Sequence, residues 1–194
     1  MNVVALRGTT ERDGPQVLAA MRTAEPTTAG LEMRDSGAVA PPGFGSAHHA
    51  LVIGHGEDDF AFARGVLAAW KVHQRAGVRV WHGPPLLTGE TVLLVLPILA
   101  FEVRIACRIV NIEASRSTFG FTYATLPCHP EIGQERFLIT LAPDGTVTFS
   151  IDVFWKPNQV LARIGGPLTK AMQRAFTHRY LKSMRDSVCA SESG

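Results

Sequence analysis

The chain has 194 residues, of which 46% are hydrophobic and 19% charged, a balance typical of one globular domain with a sizeable core. A formal net charge of +2 is too small for a nucleic-acid-binding protein, in which a strongly basic surface dominates. The longest apolar run, residues 91–101, is well short of the about 20 residues that a membrane-spanning helix needs.

The cysteines and the N-terminus indicate a cytoplasmic protein. Cys107, Cys128 and Cys189 form no Cys-x-x-Cys pair, which argues against a disulfide framework and a zinc site. The charged N-terminus lacks the apolar stretch of a secretory signal peptide. We therefore expect reduced cysteines in a cytoplasmic protein, and the sequence predicts no metal site and no cofactor.

The first half of the chain predicts an arm, a strand and a helix. Glycines and prolines interrupt residues 1–40, which are predicted to form a mostly extended N-terminal arm, with a short helix at 16–24 as an alternative. A strand at 47–53 precedes a helix at 57–75, whose apolar face runs from Phe60 to Trp70.

The turn between that strand and helix resembles a phosphate-binding loop. Gly54 and Gly56 follow a strand, but Asp59 stands where a dinucleotide-binding motif needs its third glycine. The acidic residues of this turn would also repel a phosphate. We interpret the two glycines as a tight turn.

From residue 78 onward the apolar period is two, which is typical of antiparallel strands with one buried face. The predicted strands cover residues 78–81, 90–96, 101–112, 119–125, 135–141 and 147–155, with a hairpin at Asp144-Gly145. Within 101–112, Glu102, Arg104 and Arg108 lie opposite the apolar face. They are predicted to be solvated, or to bind a carboxylate or phosphate if the sheet curls around a ligand.

The C-terminal residues 158–185 return to helical period and are interrupted at Gly165-Gly166-Pro167. This predicts a short helix, a kink, and a long helix from about Pro167. The segment carries six basic and no acidic residues, so it could lie on an anionic membrane surface or meet an acidic partner. The simpler interpretation is a core helix with a solvated basic face. Residues 187–194 are predicted to be a disordered tail.

This order of elements predicts an α+β helix-grip fold, in which a curved antiparallel sheet of about seven strands wraps around the long C-terminal helix. We expect residues 41–186 to form this single domain. Such a fold usually encloses an apolar cavity between the sheet and the helix.

The most informative motif is FGFTYATLPCHPEIGQERF, at residues 119–137. Alternation turns Tyr123, Thr125 and Glu135 toward the interior, and His129 stands between two prolines at the tip of the hairpin. A pair of His129 and Glu135 could act as general acid and base. The structural alternative is a hairpin loop in which His129 bonds a backbone carbonyl. Cys128 is not a credible partner for His129, because adjacent extended side chains point apart.

The predicted ligand site has Tyr123, Thr125, His129 and Glu135 as polar contacts, with Phe121 and Trp155 as apolar ones. The histidines His48, His49 and His55 do not recur at metal-ligand spacing, so they predict no metal site.

The motif above, the earlier PPGF and VIGHGEDDFAFARGVLAAW, and the later GGPLTKAMQRAFTHRYL resemble the family called domain of unknown function 1990, over about residues 37–184. The chain departs from the family pattern at Cys128, where the family has glycine, and at Gln134, where it has glutamate. The family is similar to the START-related helix-grip superfamily of lipid-transfer domains, polyketide cyclases and aromatase-like proteins. The resemblance therefore implies a cavity for a hydrophobic ligand.

These observations predict binding of a small hydrophobic or amphipathic molecule between the sheet and the C-terminal helix, and no binding of nucleic acid. One alternative is an enzyme of the cyclase, dehydratase or hydrolase kind that uses His129 with Glu135. Another is a peripheral membrane or protein-interaction module that works through the basic helix. The sequence leaves the oligomeric state open.

Overall fold

The computed structural model describes residues 3–31, 33, 40–82, 86–127, 129–158 and 166–191, and of residues 82, 166–174 and 191 it describes only the backbone. The chain forms eight strands and four helices in these parts. In chain order they are β1 (Val4–Leu6), α1 (Thr10–Met21), β2 (Gly45–His55), α2 (Gly56–Ala68), α3 (Lys71–Arg75), β3 (Arg79–His82), β4 (Thr91–Ile98), β5 (Phe101–Ala114), β6 (Thr118–Thr125), β7 (Glu131–Leu141), β8 (Thr146–Pro157) and α4 (Gly166–Ser191).

The strands form one antiparallel sheet in the order β2-β8-β7-β6-β5-β4-β3, and β1 pairs with β5. The main core lies between one face of this sheet, which we call the inner face, and the helices α2, α3 and α4. Its largest members include Phe121, Phe137 and Phe149 from the strands and Met184 from α4. The predicted α+β helix-grip fold is confirmed.

The helix predicted over 57–75 is divided at Trp70, whose φ of 58° is left-handed. A non-glycine residue in this conformation costs about 1–2 kcal/mol. Trp70 is only 1% exposed, so its burial in the core outweighs the strain. The bend lets α3 bury Val72 and His73 against the sheet.

The N-terminal arm is not mainly extended, because it contains β1 and α1. Helix α1 packs on the outer face of the sheet, where Val17, Leu18 and Met21 contact a second apolar cluster that includes Ala106 and Leu126. The alternation of the strands could not distinguish this face from a solvated one, since the covering helix is distant in sequence.

Two charged residues of β5, Glu102 and Arg104, are therefore buried, and the prediction of a solvated face is wrong for them. Glu102 is 0% and Arg104 2% exposed. Arg104 donates to both carboxylate oxygens of Asp13 at 3.0 and 2.8 Å. Arg108 donates to the carbonyl oxygens of Met21, Arg22 and Ala24, which lie at the C-terminal end of α1. These residues fasten α1 to the sheet.

The C-terminal helix continues past residue 186 to Ser191, so the tail predicted from 187 begins too early. Ser187 and Val188 are buried, at 1% and 0% exposure, which explains the extension. The short helix predicted before the kink falls on residues 159–165, outside the described residues, as does Cys128. Over the described ranges, none of the helices combines the length and the apolar character needed to cross a membrane.

Candidate functional site

A tyrosine and a glutamate form the centre of a polar cluster on the inner face of the sheet. Tyr123 in β6 and Glu135 in β7 are direct cross-strand neighbours. The Tyr123 hydroxyl donates a hydrogen bond to Glu135 Oε2 at 2.5 Å. Both residues face the apolar core because alternation along their strands directs them inward, as the sequence predicted.

The environment of Glu135 favours its neutral form. Its pKa is raised from 4.5 to about 7, mainly because the group is buried. The hydrogen bond from Tyr123 lowers the pKa, and the charge of Glu131 raises it. A carboxyl group with a pKa near neutrality can accept or release a proton under physiological conditions. The residue retains partial solvent exposure.

His73 is a polar residue with no hydrogen-bond partner in this core. It is 0% exposed, and neither of its ring nitrogens has a partner among the described residues. Burial lowers its pKa from 6.5 to about 3, so the imidazole is neutral at pH 7. An unpartnered buried polar group costs about 1–3 kcal/mol, which makes His73 a candidate for function rather than for stability.

Aromatic rings surround His73. Its ring centroid lies 4.7 Å from that of Tyr180 and 4.8 Å from those of Trp70 and Phe137. Phe121 packs against Trp70 at 4.8 Å. Among the described residues, the site is therefore an apolar aromatic interior that contains one carboxyl group, one imidazole and two phenol groups.

The remaining ionisable groups of this interior are neutral at pH 7. Burial raises the pKa values of Tyr123, Tyr180 and Cys107, and the charge of Glu135 raises all three further. A buried thiol with a raised pKa is a poor nucleophile. Cys107 is thus part of the apolar packing, and Glu135 is the group that can titrate near pH 7.

The structure brings together three of the six predicted ligand residues, Phe121, Tyr123 and Glu135. Thr125 is occupied elsewhere, because its hydroxyl accepts from the backbone N–H of Gly133 at 3.0 Å and contacts the Thr27 hydroxyl at 2.5 Å. Trp155 packs beside Gly45 on the neighbouring edge strand, where its ring leaves little room for a β-carbon.

His129 shapes the hairpin turn, and the described hydrogen bonds do not bring the predicted pair of His129 and Glu135 together. Its Nδ1 accepts a hydrogen bond from the backbone N–H of Glu131 at 2.9 Å, and the His129 backbone N–H donates to the Leu126 carbonyl oxygen at 2.8 Å. Burial lowers the pKa of His129 to about 4. The carboxyl group of Glu135 is instead paired with Tyr123.

Sequence reasoning missed His73 and gave Tyr180 no role beyond the apolar stripe of the last helix. The signal for His73 was present, because it stands three residues after Trp70 and so continues the buried face of the predicted helix. The polarity of histidine ended that face in the prediction. Only the tertiary structure shows that the ring remains inside.

The histidines of β2 have structural partners. His48 Nδ1 lies 2.6 Å from Asp152 Oδ1, and Asp152 also accepts from Arg136 at 2.9 Å on the outer face. The Asp59 carboxylate accepts from the His55 backbone N–H at 2.7 Å, which fits the predicted tight turn. No cluster of three or more histidine, cysteine or acidic side chains suited to a metal ion occurs among the described residues.

The basic face of α4 borders a groove of about 440 Å³ against α3, lined by Arg75, Ala76, Gly77, Arg179, Lys182, Ser183 and Asp186. Lys182 and Arg185 pair with Asp186, and the Arg179 guanidinium stacks on Phe176 at 5.2 Å. The predicted basic surface is therefore partly neutralised. The Lys170 and Arg174 side chains lie outside the described residues.

A family model described as "Domain of unknown function (DUF1990)" matches residues 27–183. The chain belongs to this family. A UPF0548 protein of Arabidopsis thaliana is 25% identical over 166 residues, which are 82% of this chain and 81% of the relative. The predicted family membership is confirmed. The match begins ten residues earlier than the resemblance suggested, so it includes Thr27, whose hydroxyl contacts that of Thr125.

Solved structures share the fold at low sequence identity. The di-domain ARO/CYC StfQ from the steffimycin biosynthetic pathway superposes with a TM-score of 0.55 at 10% identity, over 78% of this chain and 53% of that one. The chain thus spans about half the length of StfQ. Ara h 8.0201 superposes with a TM-score of 0.52 at 12% identity, over 76% of this chain and 99% of that one. These likenesses support the helix-grip fold alone.

Proposed function

We propose that this DUF1990 protein binds a small amphipathic molecule between the sheet and α4, with the polar group of the ligand at Glu135 and its apolar part against the aromatic rings. The observation that carries the proposal is the polar cluster of Glu135, Tyr123 and His73 inside an otherwise apolar core. A core that served only packing would not retain both a carboxyl group and an unpartnered imidazole.

The placement of these groups supports the proposal. Glu135 is partly exposed as a residue, whereas Tyr123 and Tyr180 are each 5% exposed. An apolar pocket with few convergent polar groups is typical of small-molecule sites. The fold shared with StfQ and Ara h 8.0201 is consistent with such a site.

A fluorescent probe tests the binding. We expect N-phenyl-1-naphthylamine to become fluorescent in the presence of the protein, and decan-1-ol to displace it. Glu135→Leu should weaken the displacement by decan-1-ol about tenfold or more, because a hydrogen bond to a charged group contributes about 1.5–3 kcal/mol. The matched control is Thr140→Val, on the outer face of the same strand, which should leave the displacement unchanged.

The absence of probe binding, together with a native mass spectrum that shows no retained molecule, would contradict the proposal. Equal effects of Glu135→Leu and Thr140→Val would place the bound molecule elsewhere.

A second candidate function is acid–base catalysis on the bound molecule, with Glu135 in place of the predicted His129 as the group that transfers the proton. The pKa of about 7 at Glu135 favours this candidate, because a general acid or base works best near the ambient pH. The Tyr123 hydroxyl then orients the carboxyl group through its hydrogen bond.

The titration of Glu135 can be measured by NMR on protein labelled with ¹³C at glutamate side-chain carboxyl groups. We expect one glutamate to titrate near pH 7. Tyr123→Phe should raise this pKa further, because the hydrogen bond from Tyr123 favours the ionised form. A Glu135 resonance that titrates near pH 4.5 in the wild type would remove the support for catalysis.

A further inference from the structure

We infer that the polar group of the bound molecule is an amine, held as an ammonium ion by Glu135 within the aromatic rings of Tyr123, Phe137 and Tyr180. This inference names the ligand class of the proposed function and rests on it. Three properties of the interior carry it, namely its charge, its unused hydrogen-bond acceptors and its rings.

The group of the interior that ionises near pH 7 is an acid, Glu135. In the described part of the chain, Arg104 and Arg136 are the only buried basic residues other than histidine, and both lie on the outer face. Arg136 follows Glu135 directly in β7 and so points to the opposite side, where it pairs with Asp152. An anionic ligand at Glu135 would therefore meet a carboxyl group with no buried arginine or lysine beside it, whereas an ammonium ion would find its counter-ion.

The unused hydrogen-bonding groups of the interior include acceptors that face no donor. Within the described residues, Glu135 accepts one hydrogen bond, at Oε2, which leaves Oε1 without a donor. The neutral imidazole of His73 has one acceptor nitrogen and one N–H donor, both unused. The Tyr123 hydroxyl hydrogen is already donated to Glu135. An ammonium group carries three donors and no acceptor, so it can donate to the Glu135 carboxylate, whereas a carboxylate ligand cannot.

The rings around Glu135 suit a cation. The centroid of Phe137 lies 5.5 Å from that of Tyr123 and 5.6 Å from that of Tyr180, and the Phe137 and Tyr180 rings meet edge to face at 74°. Rings of this kind attract a cation that approaches within about 6 Å of their centroids, most strongly where water is excluded. A carboxyl group among several aromatic rings recognises a protonated amine by charge and by cation–π attraction together.

The experiment compares three ligands with the same apolar chain and different polar groups. The assay measures how well decylamine, decan-1-ol and decanoate each displace N-phenyl-1-naphthylamine from the full-length protein. It is carried out at pH 8, where Glu135 is ionised. We expect decylamine to act at a concentration about tenfold or more below that of decan-1-ol, with decanoate the weakest. Glu135→Gln should reduce the affinity for decylamine to about that for decan-1-ol, since the amide oxygen still accepts a hydrogen bond but carries no charge. Tyr123→Phe, which retains the carboxylate, should keep the preference for the amine.

The outcomes distinguish a failure of the amine assignment from a failure of the proposed function. Decanoate as effective as decylamine, or an amine preference that survives in Glu135→Gln, would overturn the amine assignment and leave the proposed binding site standing. Failure of all three ligands to displace the probe would count against the proposed function itself. If Glu135→Gln does not fold, the order of the three ligands on the wild type and on Tyr123→Phe still decides the inference.

Discussion

Glu102→Gln is expected to lower the free energy of unfolding by about 3–5 kcal/mol, the range found when one member of a buried ion pair is removed. Glu102 is 0% exposed and accepts from the Thr10 backbone N–H at 2.7 Å, from the Thr10 hydroxyl at 2.5 Å and from the Gly8 N–H at 3.1 Å. Arg79 donates to the same carboxylate at 2.5 Å. An amide in its place would turn an NH₂ group toward these donors and leave Arg79 without its buried counter-ion.

The control for this prediction is Glu11→Gln, because Glu11 pairs with the same arginine but its side chain is 50% exposed. A surface pair of this kind contributes about 0.2–1 kcal/mol, so the control should change stability little. Urea unfolding at pH 7 measures both variants. Equal losses for Glu102→Gln and Glu11→Gln would show that the first helix is not held by the buried carboxylate.

The effect of Glu102→Gln should also depend on pH. Burial opposes ionisation of Glu102, but the hydrogen bonds from Thr10, Gly8 and Arg79 outweigh it and lower its pKa from 4.5 to about 2. The ionised group therefore stabilises the folded state fully above pH 4.5, and this contribution is lost as the pH falls toward 2. The difference between wild type and variant should shrink over the same interval.

His73→Leu is expected to stabilise the protein by about 1–3 kcal/mol at pH 7.5, since it replaces an unpartnered buried imidazole with an apolar side chain of similar size. The gain should grow as the pH falls. Between pH 6.5 and about 3 the unfolded wild type binds a proton at His73 that the folded protein excludes, which costs up to about 1.4 kcal/mol for each pH unit below 6.5. The variant lacks this penalty. Urea unfolding at pH 7.5 and pH 5 measures the difference.

His129→Leu provides the matched comparison. Burial also lowers the pKa of His129, but its Nδ1 accepts a hydrogen bond from the Glu131 backbone, which leucine cannot replace. We expect this variant to be less stable than the wild type at pH 7.5 by about 1 kcal/mol. A destabilised His73→Leu protein would mean that His73 supplies packing that leucine cannot reproduce, and its interpretation as a functional residue would lose its main support.

The sequence correctly predicted the orientation of two residues of the site. Tyr123 and Glu135 were predicted to face a shared interior because the period of two in β6 and β7 fixes the side to which each residue points. Their pairing follows from the register of a short hairpin, in which the partners are close in sequence. Local patterns carry information of this kind well.

The buried charges of β5 show why other features could not be predicted. Alternation placed Glu102 and Arg104 opposite the core. A polar face of a strand is predicted to be solvated unless the sequence indicates that another element covers it. The cover is α1, and Thr10 lies 92 positions from Glu102 in the chain. A local sequence period carries no information about a contact of that separation. Both the hydrogen bonds between α1 and Glu102 and the burial of these charges therefore depend on the tertiary structure.

The break at Trp70 had a similar origin. Helical spacing continues through this residue, and a left-handed tryptophan is unfavourable in isolation. The packing of Trp70 against Phe121, and of α3 against the sheet, selects the bent chain. That bend is what carries His73 into the interior, although its spacing from Trp70 already fitted the buried helical face.

The sequence by itself determined the family, the α+β helix-grip fold and the inward orientation of Tyr123 and Glu135, because these depend on periods and motifs within short segments. Tertiary structure alone decided that His73 joins them, that His129 remains in its turn, and that α1 covers the outer charges. Those outcomes depend on which distant surfaces exclude water from one another, and burial of this kind sets the pKa values on which the proposed chemistry relies.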